Sequence, residues 1–188
     1  MPDKKSPRDA TTILERIMYR LSPKDSGYNQ YYLRDHMDRV IKAESEGGQV
    51  STLSSARGPY QFLTKGGDNA FQTALKRVKK TYKRFGEVPS WVERAAKHND
   101  PMKLTPSQAD ELYLGNIYQQ KGSDAYLRKI IRGDLQAGAD MYSKYHHTNK
   151  DIVRGDERLS GIFGLNTPEV IGRAHGGFIS PSPGRRFI

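Results

Sequence analysis

The chain has 188 residues, with 31 lysines and arginines against 21 aspartates and glutamates, a net charge of +10, and no cysteine. That length is enough for one domain with a proper core and a short tail, and the lack of cysteine excludes disulfides and thiolate metal sites. With 35% hydrophobic residues and a mean hydropathy of -0.79, it has no apolar run of about 18 residues to span a membrane, and part of it is expected to be mobile or to dock on a partner. The positive charge calls for a polyanion (nucleic acid, anionic lipid or the bacterial cell wall), beside the plainer reading that it keeps the protein soluble. The first ten residues carry basic side chains with no apolar stretch behind them, which is not the pattern of a secretory signal peptide.

Residues 1–9 are polar and read as a flexible N-terminus. From Ala10, the helical spacing of Ile13, Leu14, Ile17, Met18 and Leu21 predicts a first helix, ended by Ser22-Pro23. A second runs from about Gln30 to Glu44, with Leu33, Met37, Val40 and Ile41 inward, and Gly47-Gly48 stops it. The Ser/Thr/Gly-rich loop from Gln49 to Gly58 leaves room for a short strand at Val50–Leu53. A third helix turns Phe71, Ala74, Leu75, Val78 and Tyr82 inward and Lys76, Arg77, Lys79, Lys80, Lys83 and Arg84 outward.

Pro89-Ser90-Trp91 opens a short helix, with Trp91 read as core or as a staple. Thr105-Pro106-Ser107-Gln108 opens another, with a Thr N-cap, Pro at the first helical position and Gln completing a capping box. Further helices cover Ser123–Arg132 and Asp134–Tyr145, with Asp134 as N-cap. Thr167-Pro168-Glu169 can start one more. From Gly172 to Ile188, Gly, Pro, Ser and Arg dominate without an acidic residue, the composition of an extended basic tail. The expected architecture is all-α, about eight helices and one short hairpin-like loop, in a single domain over residues 10–165 followed by a tail over 166–188.

Chemistry concentrates at Glu44-Ser45-Glu46-Gly47-Gly48 and Ser54-Ser55-Ala56-Arg57-Gly58-Pro59-Tyr60-Gln61-Phe62. Cleaving a glycosidic bond needs an acid still protonated near neutral pH, and an ordinary Glu is ionised there. Burial raises a carboxyl pKa, and the negative end of a helix dipole acts in the same direction. Glu44, in the last turn of an apolar helix, is placed for both effects. Small residues after it let a polysaccharide approach the backbone, and Gln61 offers both a donor and an acceptor. His146 and His147 are neighbours, but no third His or Cys stands at ligand spacing, so they read as cleft-lining or surface residues and no metal is expected.

The set Glu44-Ser45, Gly47-Gly48, Ser54-Ser55-Ala56-x-Gly58-x-x-Gln61-Phe62 resembles the soluble lytic transglycosylase branch of the lysozyme superfamily, especially versions carried by phages as virion or tail enzymes. The resemblance implies a lysozyme-like fold, peptidoglycan as substrate and no cofactor. It gives Glu44 the role of single acid/base and Gln61 a place in the glycan cleft, with Ser45, Gly58 and Tyr60 in support. Asn116-Ile117…Gly122…Tyr126-Leu127 is similar to a later family element with a longer spacer. Tyr142-Ser-Lys-Tyr145-His146-His147-Thr148-Asn149 stands where the family closes its cleft with a Tyr-containing loop, so Asn116, Tyr145 and His146 are further substrate-binding candidates.

Two departures stand out. Glu46 is an extra residue inside the usual Glu-Ser-Gly-Gly, and Ser55 replaces a frequent Gly. Ser45-Glu46-Gly47 with Gly58-Pro59-Tyr60-Gln61 is also similar to lambda-type endolysins, an alignment that would make Glu46 the acid; the Ser-Ser-Ala-x-Gly-x-x-Gln-Phe run fits the transglycosylase version better. The expectations are therefore a murein-cleaving enzyme of a phage virion or tail, acting in the host periplasm or cell wall, with other virion proteins as partners of the basic tail. A hydrolytic lysozyme or endolysin is the alternative, as is a virion structural or DNA-associated protein that keeps the fold. Nucleic acid is a possible partner for which no motif speaks.

Overall fold

The computed structural model describes residues 12–21, 30–46, 56–65, 69–147 and 152–165. The fold over these residues is all-α with one small antiparallel hairpin. Its helices are α1 (Ile13–Leu21), α2 (Gln30–Glu46), α3 (Ala70–Phe85), α4 (Ser90–His98), α5 (Pro106–Tyr118), α6 (Ser123–Ile130), α7 (Leu135–Tyr145) and α8 (Glu157–Ile162), with a 3₁₀ turn at Pro101–Lys103. Strands β1 (Ala56–Arg57) and β2 (Phe62–Leu63) pair Ala56 with Leu63 and Arg57 with Phe62. The segments expected to form a flexible N-terminus, a strand at Val50–Leu53, a helix start at Thr167 and a basic tail lie outside the described residues. Among the described residues, no helix is long and apolar enough to cross a membrane.

Helix α5 is the centre of the fold. Every residue from Glu111 to Tyr118 is buried, as a helix without a polar face must be, and α1, α3 and α6 pack around it. Its start follows from chemistry readable in the sequence. Thr105 Oγ1 accepts from the Gln108 amide at 3.3 Å, and Gln108 Oε1 accepts from the Thr105 amide at 3.0 Å, so two amides that the helix leaves unpaired are satisfied. Gly115 lets α3 and α1 approach closely: a Cβ there would lie 2.7 Å from Val78 Cγ2 and 3.0 Å from Ile13 Cδ1.

The remaining inward faces follow the helical periodicity. Ile13, Ile17 and Leu21 of α1, Leu33, Met37 and Val40 of α2, and Phe71, Ala74, Leu75, Val78 and Tyr82 of α3 are buried, and Trp91 joins the same core. The outer face of α3 is less uniform than its sequence. Lys76, Lys80, Lys83 and Arg84 are exposed, whereas Arg77 donates to Asn116 Oδ1 at 2.8 Å and Lys79 pairs with Glu93 of α4.

Helix α6 stops at Ile130, two residues short of the expected Arg132, because the chain turns through Gly133 (φ 87°) into the Asp134 N-cap of α7. Helix α8 was not foreseen. It is capped by Asp156, whose Oδ1 accepts from the Leu159 amide at 3.0 Å, and it packs against α2, where Arg39 donates to the Ile162 carbonyl at 2.7 Å.

Gly115→Ala should lower the unfolding free energy by about 1–3 kcal/mol through overpacking, despite the ~1 kcal/mol gain in helix propensity. Urea denaturation of the two proteins measures this; an unchanged or raised midpoint contradicts it.

Candidate functional site

Glu44 lies in the last turn of α2, which continues to Glu46. The C-terminal end of α7 faces it. Three groups converge on one carboxylate oxygen, Glu44 Oε1: Tyr142 donates its hydroxyl at 2.8 Å, His147 Nε2 lies at 3.0 Å and His146 Nε2 at 3.2 Å. Tyr142 Oη and His147 Nε2 are also 2.6 Å apart, so Glu44, Tyr142 and His147 form a closed triangle of polar atoms.

The spacing within α7 explains how one helix supplies all three. Tyr142 and His146 are four residues apart and share a face. Their rings stack with centroids 5.5 Å apart. His147 follows as the chain leaves the helix, its amide still bonded to the Tyr142 carbonyl at 3.1 Å.

The surroundings of the cluster are aromatic. His146 sits edge-on to Phe62 of β2 and Tyr113 of α5, with centroids at 6.2 and 5.8 Å, and Tyr142 packs against Phe163 at 5.1 Å. Tyr113 in turn meets His36 Nε2 at 3.1 Å. Burial holds His36 neutral, its pKa lowered from 6.5 to about 3 against the attraction of Asp35. The Glu44 and His146 side chains are 11% and 10% exposed, whereas His147 is 32% exposed. His147 is thus the member of the cluster most open to solvent.

Electrostatics at Glu44 differ from the sequence-based expectation. Burial does push the carboxyl upward, as expected, but hydrogen bonds from His146, His147 and Tyr142, with the nearby charge of His146, outweigh it and hold the group well below the usual carboxylate range. Hydrogen bonds donated to the ionised carboxylate favour its charged form and oppose the effect of burial. The same carboxylate, together with burial, pushes the Tyr142 and Tyr113 hydroxyls upward.

Of the residues singled out in the sequence, Glu44, His146 and His147 are brought into contact, whereas Gln61, Tyr60, Asn116 and Tyr145 have separate partners. Gln61 Nε2 donates to the Gly58 carbonyl at 2.8 Å, inside the turn that Gly58 (φ 77°) and Gln61 (φ 46°) make between the strands. This turn reaches the cluster through the next residue, Phe62. Tyr60 is a correction: its ring is buried, stacked on Tyr113 at 4.5 Å, and its hydroxyl donates to Asp110 at 2.7 Å, so it packs the core instead of touching a glycan.

Asn116 is likewise buried and taken by Arg77, which gives it a structural role. Tyr145 donates to the Lys121 carbonyl at 2.9 Å and lies against Tyr126, away from the Glu44 contacts. Ser45 and Glu46 belong to α2, and their side chains lie outside the described residues. Tyr113 is the residue beside the site that sequence reading missed; Tyr142 and His147 were read only as part of the cleft-closing element, and their contacts with Glu44 are new. The i, i+4 relation of Tyr142 to His146 was the available signal.

A second unusual carboxyl lies in the core. Glu111 of α5 is 8% exposed and accepts from the Tyr82 hydroxyl of α3. Burial raises its pKa to about 7, against the pull of Arg16. Among the described residues, no group of three or more His, Cys, Asp or Glu is arranged to hold a metal ion. Comparison with protein-family models, curated proteins and solved structures finds no match to this chain.

Two outcomes follow from the signs of these shifts. His146→Phe keeps a ring against Phe62 and Tyr113 but removes a donor, so the Glu44 carboxyl should titrate at higher pH than in the wild type, read from its side-chain carbon-13 shift; an unmoved titration contradicts this. Glu111 has its folded pKa raised above the ordinary 4.5, so its stabilising effect is full below about pH 4.5 and is lost as pH rises through about 7. Glu111→Gln should therefore flatten the fall in stability between pH 5 and 8 by on the order of 1 kcal/mol, measured by urea denaturation at both pH values. An equal fall in both proteins would remove Glu111 as its cause.

Proposed function

We propose that this chain cleaves the glycan strands of peptidoglycan as a lytic transglycosylase, with Glu44 as the acid/base. The observation that carries the reading is the cluster on Glu44. The carboxylate singled out by its Glu-Ser motif is largely buried, held by Tyr142, His146 and His147, and bordered by the strand that follows the Gly58-x-x-Gln61 turn. Perturbed ionisable groups clustered around a largely buried carboxylate mark a candidate site of proton transfer.

In the reaction, the glycosidic oxygen between N-acetylmuramic acid and N-acetylglucosamine takes a proton as its bond to C1 breaks. The muramyl C6 hydroxyl then closes on C1, and its proton returns to the enzyme. No water is consumed. Hydrolysis would call for a second carboxylate to place water or form a covalent link. Asp35, on the same helix as Glu44, is paired with Arg39 at 2.7 Å. The proposed setting is a phage virion or tail that opens the host wall, with other virion proteins as partners.

A virion structural or DNA-associated protein is the second reading, favoured by the exposed Lys76, Lys80, Lys83 and Arg84 on one helix. A zymogram on purified murein separates the two. Wild-type protein should clear the gel, Glu44→Gln should lose at least about 10²-fold in rate, and Glu46→Gln should stay active. Full activity in Glu44→Gln would sink the assignment, and loss in Glu46→Gln alone would move the acid to that residue. Mass spectrometry should find anhydro-muropeptides; reducing ends would make the enzyme a hydrolase.

A further inference from the structure

We propose that the pocket between α2 and the start of α7 is a binding site for one water molecule, held by His36 Nδ1 and joining the two helices. The site is separate from the chemistry at Glu44 and does not depend on the glycan-cleaving reading.

His36 of α2 is 3% exposed, and its two ring nitrogens have different surroundings. Nε2 meets the Tyr113 hydroxyl of α5 at 3.1 Å, whereas Nδ1 has no hydrogen-bond partner among the described residues. A buried ring nitrogen without a partner is costly, and native folds keep few such groups unless a water or an ion completes them. The neighbour of Nδ1 is Gly138 of α7, where a Cβ would lie 2.9 Å from it. Any side chain at 138 would press on that nitrogen, and glycine leaves room beside it. His36 and Gly138 both line the pocket, together with Tyr32, Asp35, Arg39 and Asp134.

The bond to Tyr113 decides what Nδ1 requires. Tyr113 is fully buried, and His36 is the one hydrogen-bond partner of its hydroxyl among the described residues. With the ring hydrogen on Nε2, two groups are orphaned, the Tyr113 O–H and the Nδ1 lone pair. With Tyr113 donating to Nε2, only the Nδ1–H is left over. The second arrangement is the better satisfied, and burial keeps the ring neutral, with a single N–H. The group that completes the site therefore accepts a hydrogen bond from Nδ1.

The pocket walls narrow the choice further. Asp35 Oδ2 accepts from Arg39 Nε at 2.7 Å, and Asp134 Oδ1 accepts from the Ala137 amide at 2.9 Å. Each bond uses one carboxylate oxygen and leaves the other as an acceptor. Two carboxylates against one guanidinium oppose an anion, and the N–H of His36 opposes a cation. A carbonyl would satisfy Nδ1 but offer the carboxylates nothing. An O–H group serves both, and the free space admits one group of water size. With water bound, a hydrogen-bonded path runs from the water at Gly138 of α7 through His36 of α2 to Tyr113 of α5. A ligand hydroxyl has the same chemistry as water, so the two sources have to be separated by experiment.

The test is solution NMR on the full chain. Long-range nitrogen-15 spectra should place the His36 hydrogen on Nδ1. That hydrogen should show a rotating-frame Overhauser peak to water, opposite in sign to an exchange peak. The peak should persist when soluble murein glycan fragments are added. Gly138→Ala should abolish it and lower the urea midpoint, although alanine is the better helix former. A hydrogen on Nε2, or an Nδ1–H without the water contact, overturns the proposal in the wild type alone, whatever the variant does. A Gly138→Ala protein that keeps the peak overturns it too. Loss of the peak on adding glycan fragments overturns water as the occupant and gives the site to a glycan hydroxyl.

Discussion

The structure depends on a constraint set by α5. A helix buried on every side must give each of its polar side chains a partner, because burial without one costs about 1–3 kcal/mol per group. Asp110 takes the Tyr60 hydroxyl, Glu111 the Tyr82 hydroxyl, Tyr113 meets His36, and Asn116 accepts from Arg77. These four pairs tie α5 to the hairpin turn, to α2 and, twice, to α3. The ring of Tyr113 then forms one wall beside His146. The position of the site is thus a by-product of satisfying the central helix.

Around Glu44 two effects of opposite sign compete. Desolvation and the end of α2 both disfavour a charge, and three donors favour it. The donors prevail because they act on the same oxygen at hydrogen-bonding distance, where the local medium screens them little. The result is an ionised carboxylate with imidazoles for neighbours, a different starting state from the protonated acid that the motif alone suggests.

Much of the fold was legible in the sequence because it is written in local signals. The 3.6-residue spacing in α1, α2 and α3, the capping box at Thr105 and the Asp134 cap all depend on neighbours in the chain. Helix α8 was missed because it is a short segment with two buried side chains of its own, Leu159 and Ile162, and it is held by packing on α2 and by Arg39. At the site, Glu44 and His146 were legible as motif residues. Tyr60 was misjudged because a motif position does not show which way a ring points. Stacking on Tyr113, fifty-three positions along the chain, decides that, and no local pattern encodes it. The contacts of Tyr142 and His147 with Glu44 were hidden for the same reason.

The chain separation at the site has a consequence for folding. Glu44 is 98 residues from Tyr142 and 103 from His147, and α3 to α6 all lie between them. Closing a loop of that size costs backbone entropy that the few polar contacts at the site cannot offset alone. Packing of the intervening helices has to bring the ends of α2 and α7 together first. The site is therefore assembled late, and a chain cut between these two helices, or one that has not finished folding, carries Glu44 as an ordinary solvated carboxylate.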